Sequence, residues 1–187
     1  MRLFFTYSLL LVCAYLTTNG QTTTITLTTG SDWTDATLIK SLKSSESAMA
    51  NTNYNSYPRL AVTAWNHSSS LATYRNLLKF DLTSIPVGTT VQSAQLQLFS
   101  DPANTSGEFS NSGSNSFYIQ KVTQAWTAST VTWNNQPAST TTGRVTVGSS
   151  TSAIENITVN VTALVQDMVN NPASNYGLLL RLATETA

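Results

Sequence analysis

Tyr74-Arg-Asn-Leu-Leu-Lys-Phe-Asp-Leu-Thr-Ser-Ile-Pro86 is the stretch whose reading decides the fold. Asn76, Leu78 and Phe80 alternate with Arg75, Leu77, Lys79 and Asp81, which is the period of a β-strand. Leu77 and Leu78 are adjacent, so both faces carry apolar surface. That predicts a central strand with a core on one side and partial cover on the other. Pro86 cannot donate to a ladder and Gly88 accepts turn dihedrals, so Ile85-Pro86-Val87-Gly88 should break the strand. A second alternating run, Ala94-Gln95-Leu96-Gln97-Leu98, follows.

Outward from this pair, the chain reads as many short strands. Ile25 and Leu27 alternate with Thr24, Thr26 and Thr28 in a Thr-rich strand over Gln21–Gly30, and Asp35–Lys40 is the next. Ser41–Pro58 is polar and reads as a long loop, a kind that often carries function. Arg59–Trp65, Ala94–Ser100, Phe117–Val122, Arg144–Val147, Ile157–Thr162 and Leu178–Leu182 read as strands. Asp101–Asn115 reads as a loop, and Trp126–Pro137 as a compact aromatic corner. Thr162 is placed as an N-cap, with Leu164, Val165, Met168 and Val169 at helical spacing until Asn170-Asn171-Pro172. Short strands with turn signals between them predict an all-β, jelly-roll-like antiparallel sandwich with one short helix near the C-terminus.

Composition sets the setting. Charged residues are 10% of 187, and Ser, Thr, Asn and Gln take their place, as in secreted β-proteins. The formal net charge is +0, which argues against nucleic-acid binding. Arg2 followed by the apolar run Leu3–Leu16 and the small-residue end Thr18-Asn19-Gly20 reads as an export signal over residues 1–20. The run is shorter than the roughly 20 apolar residues of a membrane span. Residues 21–34 are then an N-terminal extension or strand, and 35–187 the sandwich. The one cysteine, Cys13, falls in the leader, so the mature chain is expected to hold no disulfide or thiol site. Secretion to the medium or cell surface is the expectation.

Several of these residues, taken together, resemble the DNRLRE-type domain, also grouped as carbohydrate-binding module family 96. The resemblance rests on Arg75–Pro86, on Val91-Gln-Ser-Ala-Gln-Leu-Gln-Leu98, and on Trp126 with Thr130-Val-Thr-Trp-Asn-Asn-Gln-Pro137. Asn53-Tyr54, Val159–Thr162 and Asn175-Tyr-Gly-Leu178 support it. It implies a jelly-roll sandwich on secreted or surface proteins, and in some members the binding of acidic polysaccharide such as alginate. The 187 residues are expected to hold this one domain without a catalytic module beside it, which adds weight to a stand-alone structural use. Ligand residues are not carried over from the family.

The candidate sites therefore come from the residues themselves. Lys40, Lys43, Arg59, Arg75 and Lys79 are basic residues with only Glu46 as an acidic residue between Lys40 and Lys79. If their strands are neighbours they make a basic face able to hold uronic carboxylates. The plainer reading is a solvated sheet face, with Arg75 tied to Asp81 or Asp35. Sugars also stack on exposed rings, for which Tyr54, Tyr57, Trp65 and Tyr176 are candidates. Trp126 and Trp133 read instead as a packed corner of the fold. Asn66, Asn104, Asn156 and Asn160 open Asn-X-Ser/Thr sequons.

No catalytic residue is assigned. The nine acidic residues are scattered, the single histidine (His67) sits in a Ser-rich loop, and no nucleophile elbow or zinc-spaced cluster occurs. No cofactor is expected. A structural calcium ion would draw on Asp32, Asp35, Asp81 and Asp101, but they form no Asp-x-Asp-x-Asp loop. The leading function is non-catalytic binding of polysaccharide or surface glycan. The rival is a self-assembling fibre or coat glycoprotein that uses the Gln21–Gly30 strand for subunit contact.

Overall fold

The structure is a computed structural model that describes residues 2–12, 23–28, 32–100 and 111–186. Its strands are β1 (Arg2–Val12), β2 (Thr26–Leu27), β3 (Trp33–Ser41), β4 (Leu60–His67), β5 (Ser70–Phe80), β6 (Gln95–Phe99), β7 (Phe117–Val122), β8 (Ser139–Val147), β9 (Ile157–Asn160) and β10 (Leu178–Leu182), with helix α1 (Thr162–Asn170) before the last. The order across the sheets is β8-β7-β10-β5-β4-β1-β6-β9, with β3 beside β5 and β2 beside β1. All pairings are antiparallel. The all-β sandwich and its C-terminal helix are as the sequence predicts.

β5 is the interior strand that its alternation implies. β3 runs along one edge, from Trp33↔Phe80 to Ser41↔Ala72. Along the other edge β4 pairs with Ser70–Tyr74 and β10 with Asn76–Leu78. Leu77 and Leu78 are both 0% exposed although they face opposite ways. Leu78 and Phe80 belong to the main core, with Leu60, Val62, Leu96, Leu98, Phe117 and the buried face of α1. Leu77 belongs to a smaller core on the other face, with Ala36, Leu38, Val122, Val131 and Leu179, roofed by Trp126, Trp133 and Tyr176. The aromatic corner is thus the cover that the second apolar face requires.

β4 and β10 part company along the β5 edge beside Asn76. This residue is wholly buried; its Nδ2 donates to the Ala61 carbonyl and its Oδ1 accepts from Thr37 Oγ1 at 2.9 Å. The side chain supplies the hydrogen bonds the split ladder cannot, which is why a polar residue is tolerated there.

The turns follow from their residues. The Thr89 N–H donates to the Pro86 carbonyl at 3.1 Å, with Gly88 at φ +81° between them. The β4–β5 hairpin closes through Ser68 and Ser69, both at positive φ (51° and 64°). That is the handedness a two-residue hairpin turn needs.

Six expectations change in detail. The Ser41–Pro58 loop contains a 3-10 helix, Ser44–Asn51, whose Ala50 carbonyl accepts from the Asn134 N–H at 3.0 Å. The helix forms because it has the corner to dock on. Thr162 is not the N-cap of α1 but its first residue; Val161 holds the cap position without a side-chain bond. Thr162 Oγ1 accepts instead from the Ala94 N–H at 2.9 Å, so a tertiary bond replaces the local one. The Arg144–Val147 strand extends back to Ser139, because β7 offers partners along its length. In the described part of the Thr-rich segment, only Thr26–Leu27 is strand. Arg75 pairs with neither Asp81 nor Asp35 but with Glu185. Within the expected export signal, Arg2–Val12 is a strand whose Arg2–Phe5 pairs with β4 and whose Thr6–Val12 pairs with β6. Residues 101–110, and with them Asn104 and Asp101, lie outside the described residues.

Candidate binding cleft

A cleft of about 680 Å³ opens where the start of β3 meets the end of β5. Trp33 and Thr34 form one wall, and Lys79, Phe80 and Asp81 continue it; the Trp126–Ser129 turn, Asn55, Pro172 and Asn175 form the opposite side. Register explains the wall, since Trp33 pairs with Phe80 and Thr34 with Lys79. The Trp33 ring stacks on Phe80, with centroids 6.3 Å apart and planes 17° apart, and Trp33 stays half-exposed.

The far side is fixed by polar bonds. Trp126 Nε1 donates to the Tyr176 carbonyl at 2.7 Å. Asn175 Nδ2 donates to the Phe80 carbonyl at 2.9 Å. Asn53 Nδ2 donates to the carbonyls of Ala128 and Val131 at 2.7 and 2.6 Å, tying the loop beside Asn55 to the Trp126 turn. Both sides of the cleft are therefore held to the same scaffold. Such a pre-formed concavity, with aromatic rings and a few polar groups, is the usual form of a small-ligand site.

Charge in the cleft is mixed. Lys79 is exposed. Asp81 Oδ1 accepts from the Thr83 N–H at 2.9 Å. Hydrogen bonds from the Thr83 side chain and backbone hold the Asp81 carboxyl below its usual range, with a smaller contribution from Lys79. Asp32 Oδ2 accepts from the Thr28 N–H at 3.2 Å. Asp35, two residues on from Trp33, is pushed up to about 6 by burial, but it does not line the cleft. Glycoside hydrolysis needs a carboxylic acid kept protonated across from a carboxylate. Asp81 is held ionised, which suits a hydroxyl acceptor better than an acid.

The basic residues singled out in the sequence do not form one face. Lys79 lies in the cleft. Arg75 stacks over the Trp133 ring at 4.3 Å, and Lys40 lies 5.9 Å from the same ring. Both border a smaller pocket of about 250 Å³ with Leu42, Leu71 and Glu185. Arg75 is held bidentately by Glu185 at 2.8 and 2.7 Å and by Gln136 at 2.7 Å. Lys43 pairs with Glu46 at 3.1 Å, and Glu46 also meets His67 at 3.0 Å. Arg59 is half-buried, and its carbonyl accepts from Thr37 Oγ1 at 3.4 Å.

The aromatic candidates are also dispersed. Tyr54 bridges to Thr37, Tyr57 lies 6.0 Å from the Tyr74 ring, and Trp65 stacks on His67 at 5.2 Å. Tyr176 packs in the second core. Trp33, Asn55 and Asn175 were not singled out as ligand contacts from the sequence. Only the β3–β5 register sets Trp33 against Phe80 and Thr34 against Lys79; from the sequence the strand begins at Asp35, which leaves Trp33 in the segment before it.

Among the described residues, no group of three or more His, Cys, Asp or Glu could hold a metal ion, and no helix is long and apolar enough to cross a membrane. Asn66, Asn156 and Asn160 are exposed. The amide oxygens of the last two accept from the Ser100 and Thr162 N–H groups, both at 3.0 Å.

A rigid β-sandwich with a preformed aromatic cleft at one end has the build of a binding module. The model of carbohydrate-binding module family 96 matches residues 44–187, and the chain belongs to that family. No curated protein matches it. The family match begins after β3, so Trp33, Thr34 and Asp32 are contributed to the cleft from outside the matched span.

Proposed function

We propose that this protein is a non-catalytic, secreted or surface-held module that binds a polysaccharide or surface glycan in the cleft between Trp33 and Trp126. The observation that carries the reading is the cleft's lining: half-exposed indoles for the apolar faces of a sugar, flanked by Lys79, Asp81 and Asn55 for its hydroxyls. Of the basic residues, Lys79 is the one placed in this cleft, so an acidic polysaccharide would engage it there. Arg75 and Lys43 already satisfy Glu185 and Glu46.

The test is affinity electrophoresis in gels containing alginate or a neutral β-glucan. Lys79→Ala should lose at least half of its retardation in the alginate gel. Arg59→Ala, outside the cleft, should not add to the loss. Unchanged retardation of Lys79→Ala would remove the acidic-glycan reading. Unchanged retardation of Trp33→Ala in every gel would remove the cleft itself.

The second reading, a self-assembling fibre or coat subunit, is favoured by one observation: a strand from the expected leader lies inside the sheet between β4 and β6.

A further inference from the structure

β1 occupies an interior place. Its Leu3 and Phe5 are in register with Val62 and Leu60 of β4, and its Leu9 and Leu11 with Leu98 and Leu96 of β6. Those four partners are buried in the main core, at 0%, 6%, 1% and 0% exposure. β4 over Leu60–Val62 pairs with no other strand among the described residues, and β6 has β9 on its far side. The same residues, Arg2–Val12, lie within the segment read as an export signal. Removing that segment would leave two backbone edges and the seam of the core without a strand. Buried edges of this kind are not left open, because unpaired N–H and C=O groups and bare apolar surface are both costly.

We infer that the site between β4 and β6 is a strand-accepting groove, filled in the mature protein by the Thr-rich N-terminal segment of a second copy. The inference rests on the export-signal reading. Three observations select this occupant. Ile25 and Leu27, two residues apart, repeat the spacing of Leu9 and Leu11. The segment already packs on this core, with Leu27 8% exposed and paired across from Leu11 at the groove's end. Finally, direction separates one copy from two. β1 is antiparallel to both β4 and β6, whereas the chain's own β2 is antiparallel to β1. Sliding β2 sideways would bring it in reversed, while a strand from another copy enters in either sense. Because each copy both donates and accepts, the contact is head-to-tail and can extend into a filament.

The experiment uses protein secreted from a eukaryotic or bacterial host, with its start read by intact mass. Light scattering gives its oligomeric state, and hydrogen exchange reports the amides of Leu60–Val62 and Gln95–Phe99. The expected result is a mature chain lacking residues 1–20, oligomeric, with these amides protected. Deleting Gln21–Thr28 should give monomers whose groove amides exchange at least tenfold faster. A synthetic Gln21–Gly30 peptide should restore their protection. A mass that retains Met1 overturns the leader reading and the inference with it. A correctly cleaved protein that is monomeric with protected amides overturns the second-copy occupant. Cleaved protein with unprotected amides, or a peptide without effect, overturns the groove as a strand acceptor.

Discussion

Replacing Gly177 by alanine tests how the cleft is held to the sheet. Gly177 sits at φ +85°, between Asn175 and Tyr176 of the cleft side and Leu178 of β10. Its carbonyl accepts from the Val122 N–H at 2.9 Å. A Cβ built there falls far inside van der Waals contact with the Leu78 carbonyl oxygen and lies 2.8 Å from the Lys79 Cα. The left-handed conformation alone costs a non-glycine residue about 1–2 kcal/mol. Relieving the overlap means pushing β10 from β5, backbone against backbone, and overpacking of this kind costs about 1–3 kcal/mol. The expected loss is therefore about 2–5 kcal/mol, or roughly 4–20 °C in Tm for a chain of this size. Thermal and urea unfolding of Gly177→Ala measure it. Gly177→Asn separates the causes, since asparagine tolerates positive φ but carries the same Cβ. It should lose the overpacking share alone, about 1–3 kcal/mol. Near-wild-type stability of Gly177→Asn would refute the close-approach argument. The strain should also reach function, because the Trp126 indole hangs from the Tyr176 carbonyl next door; Gly177→Ala should weaken glycan retention even where it remains folded.

Three further outcomes can be checked. Asp35 has its carboxyl raised from 3.8 to about 6 by burial. Between those values the folded state holds a proton that the unfolded chain has released, so this group makes stability fall as pH rises from about 4 to about 6. Asp35→Asn should therefore be more stable than the parent at pH 7, by about 1–2 kcal/mol given the side chain's partial exposure, and gain nothing at pH 3.5; equal differences at both pH values would contradict the assignment. Ser69, at φ 64° in the β4–β5 hairpin, should gain about 0.5–1 kcal/mol when replaced by glycine, read as a higher urea midpoint at unchanged slope. In a eukaryotic host, exposed Asn66, Asn156 and Asn160 should carry glycans, since each lies open to solvent and the amide oxygens of the last two already keep backbone partners; an intact mass equal to the bare chain would show otherwise.

Local pattern was enough for most of the strands and for the place of β5, but not for β1 or for the extents of β2 and β8. Period two, with adjacent leucines, demands burial on both faces whatever the rest of the chain does. The Pro86–Gly88 turn, the helix before Pro172 and the paired tryptophans were legible for the same reason: each follows from dihedral or apolar constraints of a few neighbouring residues. The candidate cleft was not. Lys79 reaches the cleft because β3 pairs with β5 in one register, and Arg75 is engaged because Glu185, 110 residues away, returns beside it. Sequence ranked these two cations together; the fold gives one to a cleft and the other to an internal ion pair. Likewise, Arg2–Val12 reads locally as an apolar leader, and only the tertiary arrangement places it as a strand between β4 and β6. Short-range periodicity determines which residues turn inward. Which side chains become neighbours depends on long-range strand register, and a one-residue change there would turn every contact to the other face.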